Sequence, residues 1–579
     1  MEAAAAAGAG TPQDKAISIA RGMPLAEEPG QGAHTLPGFL REVTTRYAGS
    51  EALVMHGPDG VERWTYDELW QRSTDIARAL IAAGVGKDSR VGILMTNRPE
   101  FISAMFGTAL AGGVCVALST FSTEPELEYL LSVSDVSVLL FEDQVLKKDF
   151  GAMLADLEPA LREAAPGTLY SQKFPFLRRL VRLPGVTAAD PSTAVDCTAF
   201  ESMADFLAAG SAVPVEVVEG RAASVKPSDT GGLFFSSGST SLPKGILHSQ
   251  RAFTIQWWRW PRLCRVDGPV RAWTGNGFFW SGNISIIVGS ALGSGGAIVL
   301  QPLFEAESAL ELMQAEKVSM ANGRPHQWAR LQAADNWDSV DLSSLKYIFN
   351  GDLIKQHPTV TCDWQEPNSF GTTETMTILS SFDIRLQRSD YPGSFGTPLP
   401  GNVLKIIDPQ TRAVMPLGER GELCIKGPTL MMGYVGKAAE ETFDDEGYFC
   451  TGDGAYLDAE GHLYWEGRLN DIIKTGGANV SPKEVDTAIS LYPGVKRSQT
   501  VGVPHDTLSE MVVSCVVPLE GEELDGKAII DFLKQQLASF KVPREVLLFT
   551  EEEFPLTGNE KVKASDVKAM ACKRLGIDT

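Results

Sequence analysis

The stretch Ser236-Ser237-Gly238-Ser239-Thr240-Ser241-Leu242-Pro243-Lys244-Gly245 follows an apolar pair, Phe234 and Phe235. We expect the two phenylalanines to end a buried strand and the stretch to form the loop after it. Small residues let backbone N–H groups approach phosphate oxygens, and hydroxyls and a lysine supply further donors. The loop is not a Walker A sequence, because Pro243 and Gly245 stand where that motif has its second glycine and its hydroxyl. Its own residues therefore suit either a polyphosphate-binding loop or a flexible surface loop.

Length and composition limit the classes of protein to consider. A chain of 579 residues is too long for one compact core, so we expect two or more domains. The hydrophobic fraction of 44% and the charged fraction of 21% are typical of a soluble globular protein. A net charge of -22 argues against a nucleic-acid partner, because clustered Lys and Arg bind such partners. No apolar run reaches the roughly 18 residues of a membrane span, so we expect no transmembrane segment.

The cysteines and the start of the chain indicate the cellular context. The eight cysteines are scattered, with no CxxC pair and no regular spacing. This pattern predicts neither a zinc site nor a disulfide framework, and it favours a reducing compartment, so we expect a cytoplasmic protein, either monomer or homodimer. The first residues are rich in Ala and Gly and lack the regions of a signal peptide. Residues 1–36 are therefore interpreted as a disordered leader.

The remaining pattern predicts an α/β protein with a second, smaller unit. Short apolar runs alternate with amphipathic helices, which indicates α/β layers with parallel strands. Thr65 and Glu68 form a capping box that opens one of these helices. Residues 391–467 carry many glycines and short β runs, and we expect them to form a β-rich part. A final unit follows, in which residues 481–484 predict a second capping box with proline at the first helical position.

Further clusters carry residue types that suit a nucleotide. The run Asn368-Ser369-Phe370-Gly371-Thr372-Thr373-Glu374 offers a ring to stack on a base, an amide to bond it, and oxygens that suit Mg²⁺ beside phosphates. In Thr451-Gly452-Asp453 the aspartate can accept two hydrogen bonds from a ribose diol. Residues 467–474 place a cation and a polar turn ahead of an apolar pair, and residues 555–562 project Lys561. Each cluster alone is equally typical of a strand end or a turn.

Together, the order and spacing of these clusters resemble the adenylate-forming superfamily of acyl-CoA synthetases, nonribosomal-peptide adenylation domains and firefly-type luciferases, over roughly residues 40–570. Residues 236–245 resemble the signature Ser/Thr-Gly-Thr-Thr-Gly-Xaa-Pro-Lys-Gly, with Ser241 in place of the more usual Gly. Residues 370–374 resemble Tyr-Gly-Xaa-Thr-Glu with Phe in place of Tyr, residues 451–453 match Thr-Gly-Asp, and residues 467–474 resemble the hinge motif.

This resemblance implies a fold and a reaction. It implies a large N-terminal adenylation domain over residues 37–468, built of two αβ sheets and a distorted β-barrel. A hinge at residues 469–471 and a small mobile α+β C-terminal domain over residues 472–579 would follow. A carboxylate attacks the α-phosphorus of ATP to give acyl-AMP and pyrophosphate, and a thiol, usually that of CoA, then attacks the mixed anhydride.

It also implies roles for individual residues. Lys561 would bridge the carboxylate and the α-phosphate, Glu374 with Thr240 would support Mg²⁺, and rotation of the C-terminal domain would bring Lys474 and Gly477 to the pantetheine tunnel. The implied catalytic residues are thus Lys561, Glu374 and Lys474. The implied ATP- and CoA-binding residues are Ser236, Ser237, Gly238, Ser239, Thr240, Ser241, Lys244, Gly351, Asn368, Phe370, Gly371, Thr373, Asp453, Arg468 and Gly477.

Two positions depart from the family pattern. The hinge position, usually Asp or Lys, is Asn470, and asparagine tolerates unusual backbone dihedrals, so a swing remains compatible with it. The residue before the catalytic lysine is usually Gly and is here Glu560, an acid that would weaken the positive field of Lys561. Lys541 and Arg544 are candidates for the CoA phosphates, with plain surface charge the equal alternative.

The family lines its acyl pocket from the segment that here spans residues 275–282. The implied substrate residues are Phe278, Phe279, Trp280, Gly282 and Met376. No lysine or acid occurs in residues 276–282, whereas an amino-acid substrate would need an acid to pair with its ammonium, so a fatty, cyclic or aryl acid is favoured. The aromatic residues here and at Trp257, Trp258 and Trp260 are equally typical of plain core.

Two other functions share part of this pattern. An adenylating enzyme that loads a carrier protein would use the same first step; no carrier domain follows before Thr579, which disfavours the multidomain form but not loading in trans. A nucleotide-binding protein without catalysis would keep the phosphate loop and Asp453 but would lack Lys561, which is present.

Overall fold

A computed structural model describes residues 17–57, 60–186, 195, 197–236, 243–382, 390–469, 473–475, 478–505, 508–537, 541–554 and 564–577. Its α-helices are α1 Leu36–Tyr47, α2 Tyr66–Ala82, α3 Pro99–Leu110, α4 Glu124–Ser134, α5 Phe150–Leu157, α6 Met203–Gly210, α7 Val215–Ser224, α8 Gln250–Leu263, α9 Ser281–Ser294, α10 Ala306–Ala315, α11 Pro325–Gln332, α12 Pro482–Ile489, α13 Gly526–Leu533 and α14 Ala564–Leu575.

The strands are mostly short. They are β1 Ile19–Arg21, β2 Glu51–Gly57, β3 Gly60–Thr65, β4 Arg90–Leu94, β5 Val114–Ala117, β6 Val136–Glu142, β7 Gln144–Val145, β8 Lys148–Asp149, β9 Arg179–Leu183, β10 Phe200–Ser202, β11 Thr230–Ser236, β12 Lys244–Ser249, β13 Arg271–Thr274, β14 Ala297–Leu300, β15 Met320–Asn322, β16 Tyr347–Phe349, β17 Ser369–Phe370, β18 Ser380–Ser381, β19 Thr397–Pro398, β20 Val403–Ile407, β21 Gly421–Lys426, β22 Gly433–Tyr434, β23 Phe449–Leu457, β24 Leu463–Arg468, β25 Ile473–Thr475, β26 Ala478–Val480, β27 Val495–His505, β28 Ser509–Pro518 and β29 Glu545–Leu548.

Two sheets form the body of the N-terminal domain. One has eight strands in the order β10-β9-β6-β4-β5-β11-β12-β22, and the other has six in the order β16-β15-β13-β14-β2-β3. The strands from β10 to β11 in the first sheet and from β16 to β2 in the second run parallel, and the remaining strands at one edge of each sheet pair antiparallel. The predicted α/β layering is therefore confirmed.

Helices fill the space between the two sheets. One hydrophobic core joins apolar side chains of α1, α2, α3, α8 and α9 with inward-facing residues of both sheets. Separate cores cover the outer face of the eight-stranded sheet beneath α4 and α5, and that of the six-stranded sheet beneath α10 and α11. Burial on both faces explains the continuous apolar runs of these strands. The Thr65 and Glu68 capping box opens α2 as predicted.

The β-rich part forms a five-stranded antiparallel sheet in the order β1-β20-β21-β23-β24, beside a small sheet of β17, β18 and β19. Residues 17–36 differ from the expected disordered leader, because β1 pairs with β20 and the side chain of Glu28 forms a buried ion pair with Arg259 at 2.9 Å. Trp258 also donates to the carbonyl of Ala33 at 3.1 Å. The interpretation as a leader was thus wrong for these residues.

The C-terminal domain has its own sheet, in the order β26-β25-β28-β27 with β29 beside β28. Cores on its two faces pack against α12 with α13 and against α14. Ser481 accepts from the N–H of Glu484, as a capping box requires. In a capping box the Glu484 carboxylate would accept from the N–H of Ser481. Here it accepts instead from Lys541 Nζ at 2.6 Å. The proposed CoA-phosphate ligand Lys541 is therefore engaged by an acid.

The cysteines depart from the sequence prediction at one pair. Cys424 on β21 lies directly opposite Cys450 on β23, and the two are joined by a disulfide. The expectation of no disulfide was wrong because strand pairing brings together residues that are 26 apart in sequence. The six other cysteines are free thiols, of which all but Cys362 are buried. Among the described residues, the chain forms no helix of the length and apolar character that a membrane crossing needs.

Candidate active site

The phosphate-loop candidate connects two paired strands. As predicted, Phe234 and Phe235 lie near the end of β11, and Ser236 pairs directly across from Lys244, the first residue of β12. Ser237, Gly238, Ser239, Thr240 and Ser241 lie outside the described residues. The antiparallel pairing fixes the positions of Ser236 and Lys244 on neighbouring strands.

A tyrosine from a distant part of the chain joins this loop to Glu374. Tyr434 lies on β22, which pairs with β12. Its hydroxyl donates to Glu374 Oε1 at 2.9 Å, and the Lys244 ammonium lies 5.4 Å from the centre of its ring. Burial first, and then the charge of Glu374, raise the pKa of Tyr434. Tyr434 thus holds the carboxylate predicted to bind Mg²⁺ beside the lysine predicted to bind phosphate. Its sequence surroundings gave no signal for this role.

His248 makes a second link between these motifs. It lies on β12, is fully buried, and its Nε2–H donates to the carbonyl of Thr373 at 2.7 Å. Burial lowers the pKa of His248 to about 4, so the ring is neutral at physiological pH. Nothing in the sequence singles out His248 for this role, because one histidine in an apolar strand is not distinctive.

The turn from Phe370 to Glu374 depends on one glycine. A Cβ on Gly371 would lie 1.5 Å from the carbonyl oxygen of Thr377, a contact that no relaxation of a side chain could relieve. Gly371 is therefore required by backbone packing, apart from any contact with a ligand.

We predict that Gly371→Ala lowers the free energy of unfolding by about 3 kcal/mol, since backbone must move to admit the methyl group. Gly282→Ala is the matched control, because its Cβ would meet only Thr377 Cγ2, at 3.9 Å. The control should change stability by less than about 1 kcal/mol. Chemical denaturation followed by circular dichroism measures both, and equal stability of the two variants would contradict the prediction.

An aromatic cluster surrounds the predicted adenine-stacking residue. Phe370 is buried, with ring centres of Phe395 and Trp465 at 6.1 and 5.9 Å. From the C-terminal domain, the Lys483 ammonium lies 3.6 Å from the centre of the Trp465 ring, and loss of hydration lowers the pKa of Lys483 to about 8. Trp465 was missed by the sequence analysis, although it stands only two residues before the predicted hinge motif.

The structure brings Asp453 and Arg468 together as predicted. They form a cross-strand pair on β23 and β24, with Arg468 Nε 3.2 Å from Asp453 Oδ1. Burial raises the pKa of Asp453 and outweighs the opposite effect of Arg468; the charge of Glu374 raises it further. Within the described part of the chain, buried Asp453 Oδ2 has no hydrogen-bond partner. A buried acceptor of this kind is suited to a ligand hydroxyl.

Asn368 and Gly351 lie on neighbouring segments, ahead of Phe370 in the chain. The side-chain amide of Asn368 donates to the carbonyl of Ser394 at 2.5 Å. Gly351 follows β16, and the N–H of the preceding Asn350 donates to Glu366 Oε2 at 2.8 Å, which joins this loop to the segment ahead of Asn368. A Cβ on Gly351 would meet Ile348 Cγ2 at 2.0 Å, so its backbone lies close to neighbouring atoms.

Three remaining site candidates fall where little or nothing is described. Lys561 and Gly477 lie outside the described residues, as does the hinge residue Asn470. The backbone of Lys474 lies in β25, where it pairs with Asn479.

Comparison with known proteins identifies this arrangement. A family model described as "AMP-binding enzyme" matches residues 40–435, and one described as "AMP-binding enzyme C-terminal domain" matches residues 484–561. The chain belongs to the AMP-binding enzyme family. It is an AMP-forming carboxylate–CoA ligase, with ATP and CoA as substrates, and Mg²⁺ is the standard metal of the family.

Relatives of this AMP-binding enzyme extend over nearly its whole length. It is 27% identical to the acyl-CoA ligase SID4 of Ajellomyces capsulatus, covering 94% of this chain and 92% of that protein. It is 29% identical to a feruloyl-CoA synthase of Amycolatopsis sp, covering 89% of this chain and 95% of that protein. The structure of the anthranilate CoA ligase AuaEII in complex with anthranoyl-AMP matches with a TM-score of 0.73 at 21% identity, covering 96% of this chain and 100% of that chain. The two proteins therefore share a fold.

The residues present suit the Mg²⁺ that accompanies ATP in this enzyme family. Carboxylate oxygens are ligands that Mg²⁺ prefers, and the metal takes further ligands from phosphates and water. In the hydrogen bonds of the described residues, Tyr434 occupies Oε1 of Glu374, and Oε2 receives none. Glu374 could thus supply one ligand, and the hydroxyl predicted to join it, that of Thr240, lies outside the described residues.

The residues predicted to line the acyl pocket divide into two groups. Phe278 is 1% exposed and packs against Phe101, and Met376 is fully buried, so both are core in this structure. Phe279 is also buried, at 5% exposure, but its ring contacts exposed Phe121 at 5.5 Å and half-buried Trp280 at 5.3 Å, so it lies where this core meets the surface.

The tryptophans of α8 support the enzyme's core. Trp257 lies among Phe39, Phe106 and Phe253, and Trp258 against Phe39. Trp260 donates to Ser285 Oγ at 2.9 Å. The interpretation as core, left open by the sequence, is thus confirmed for these three.

Proposed function

We propose that the protein is an ATP-dependent acyl-CoA synthetase that activates a hydrophobic carboxylic acid as acyl-AMP and transfers the acyl group to CoA. The observation that carries this proposal is the arrangement around Tyr434. Its hydroxyl donates to Glu374 Oε1 at 2.9 Å, and the Lys244 ammonium lies 5.4 Å from the centre of its ring. A carboxylate suited to Mg²⁺ and a cation suited to phosphate therefore lie side by side.

In the first step, a carboxylate oxygen of the acid forms a bond to the α-phosphorus, and the bond to the leaving pyrophosphate breaks. Mg²⁺ held in part by Glu374 would neutralise charge on the phosphates. Lys244 with the loop of residues 236–241 would bind the β- and γ-phosphates, and Thr373 the α-phosphate. Phe370 would stack on the adenine beside Asn368 and Gly351, and Asp453 with Arg468 would hold the ribose.

In the second step, the sulfur of CoA attacks the acyl carbon, and AMP leaves with the bridging oxygen. We propose that the C-terminal domain rotates about residues 469–471 between the steps, which removes Lys561 and brings Lys474 and Gly477 to the thiol path. Glycine lets a thin chain pass close to the backbone. The C-terminal domain would then serve each step with a different lysine, while the adenylate stays bound.

The acid is proposed to be fatty, cyclic or aryl. Phe279 and Trp280 offer aromatic rings, and a Cβ on the neighbouring Gly282 would meet only Thr377 Cγ2, at 3.9 Å. The relatives named for feruloyl-CoA and indoleacetate activate aromatic acids, which supports the aryl class.

The test measures pyrophosphate release from ATP and Mg²⁺ with panels of fatty, aryl and alicyclic acids, with and without CoA. We expect release with a hydrophobic acid, consumption of CoA, and AMP formation that accelerates when CoA is added. An amino acid serves as the matched control and should give no release. AMP formation that is indifferent to CoA would contradict the ligase and favour an enzyme that stops at the adenylate.

A further inference from the structure

The disulfide between Cys424 and Cys450 adjoins the proposed ribose site. Cys450 immediately precedes Thr451, Gly452 and Asp453 on β23, and Cys424 lies opposite it on β21. Cys450 is thus three residues along β23 from Asp453, whose buried Oδ2 has no hydrogen-bond partner among the described residues.

The strand ladder is irregular at this place. The register between β21 and β23 shifts between Glu422 and Cys424, so the extra backbone has no regular pairing to fix it. Gly452 has a φ of +73°, a conformation that favours glycine. A cross-link beside an irregular ladder restricts the conformations that the Thr451 to Asp453 segment can adopt.

Besides the Asp453–Arg468 pair, polar contacts hold this segment on both sides. Thr451 Oγ1 donates to the carbonyl of Leu423 at 2.9 Å, and the N–H of Gly452 donates to Glu422 Oε1 at 3.1 Å. On the far side, Arg468 donates to the carbonyl of Thr451 at 2.6 Å. Two of these contacts lead back to β21, the strand that carries Cys424.

The two sulfurs differ in their surroundings. Cys424 is fully buried, whereas Cys450 is half-buried and its Sγ accepts from Arg412 Nη2 at 3.1 Å. Arg412 also pairs with Glu422 at 3.2 Å. An external thiolate can reach Cys450 more easily than Cys424, because Cys424 is fully buried. A guanidinium beside a sulfur favours the thiolate over the thiol, so Arg412 favours departure of Cys450 in the step where Cys450 is the leaving group.

We propose that Cys424 and Cys450 form a redox-sensitive clamp that sets the nucleotide affinity of the enzyme through Asp453. Reduction uses an external dithiol. One of its thiolates attacks Cys450 Sγ and releases the Cys424 sulfur, which takes up a proton. Its second thiolate then displaces Cys450, so the protein gains two thiols and the reductant becomes a cyclic disulfide. Exchange with an external disulfide reverses the reaction. The consequence for nucleotide binding rests on the ribose role proposed for Asp453.

The test compares AMP affinity of the full-length protein after treatment with oxidised glutathione and after treatment with dithiothreitol, by titration calorimetry. We expect the reduced form to bind AMP about fivefold more weakly, the effect of losing roughly one well-placed hydrogen bond. The double variant C424S/C450S should match the reduced form under both treatments. C362S, which removes the half-buried free thiol, should respond as the wild type does.

A second measurement separates the clamp from the ribose role. Peptide mass spectrometry under non-reducing conditions should find the 424–450 cross-link, and hydrogen exchange of residues 449–457 should quicken on reduction. The cross-link could form and hydrogen exchange could quicken on reduction while neither form binds AMP. In that case the ribose role of Asp453 is wrong, but the disulfide still restricts residues 449–457. Absence of the cross-link after oxidation, or equal AMP affinity of the two forms, would overturn the proposal.

Discussion

Lys561→Ala should slow adenylate formation by on the order of 10³-fold, the cost of removing one well-placed group that stabilises transition-state charge. By resemblance, this lysine bridges the attacking carboxylate and the α-phosphate, and the attraction is strongest as the two oxygens converge. Thioester formation from supplied acyl-AMP should be retained, because Lys561 is proposed to leave the site before that step. Pyrophosphate exchange and thioester formation are measured separately.

Lys568→Ala is the matched control for the loss of a lysine near the C-terminus. Lys568 lies on α14 and pairs with Glu510 at 2.9 Å, so its charge serves a contact within the C-terminal domain. Both half-reactions of this variant should stay within about twofold of wild type, since exposed ion pairs contribute little. Equal loss of both half-reactions in Lys561→Ala would refute rotation of the domain.

Local patterns account for what could be predicted from the sequence. Capping at Thr65 and the buried end of β11 depend on neighbouring residues, and the sequence alone shows both. The fold class follows from the alternation of strands and helices. The site motifs were recognised because their order resembles a family, and the structure then paired Asp453 with Arg468.

Long-range pairing explains what could not be predicted. Tyr434 reaches Glu374 only because β22 pairs with β12, and Cys424 meets Cys450 only because β21 pairs with β23. Residues 17–36 are grouped in the sequence interpretation with the Ala- and Gly-rich start of the chain, yet Glu28 is buried against Arg259 at the distant helix α8. A one-dimensional pattern contains propensity but not which strands become neighbours.

Asp453→Asn should weaken ATP binding while leaving the protein at least as stable. The carboxylate can accept both ribose hydroxyls, whereas an amide offers one oxygen acceptor and an NH₂ that meets them as a donor. Loss of one hydrogen bond to a charged group costs about 1.5–3 kcal/mol, so the KM for ATP should rise about tenfold to a hundredfold. Initial rates of pyrophosphate release at varied ATP concentration measure this change.

The stability of the same variant distinguishes a lost contact from a damaged fold. Because burial raises the pKa of Asp453, its charge opposes folding fully at any pH above that raised pKa, and the penalty declines as pH falls from there to the ordinary pKa of an aspartate. A neutral amide removes this penalty, so thermal unfolding near neutral pH should occur at the same temperature or higher. Glu446→Gln is the control, since Glu446 is an exposed acid of the β-rich part that pairs with Lys405; it should leave both the KM and the unfolding temperature unchanged. A fall in stability of Asp453→Asn that parallels its loss of activity would mean that Asp453 holds the strands together rather than the ribose.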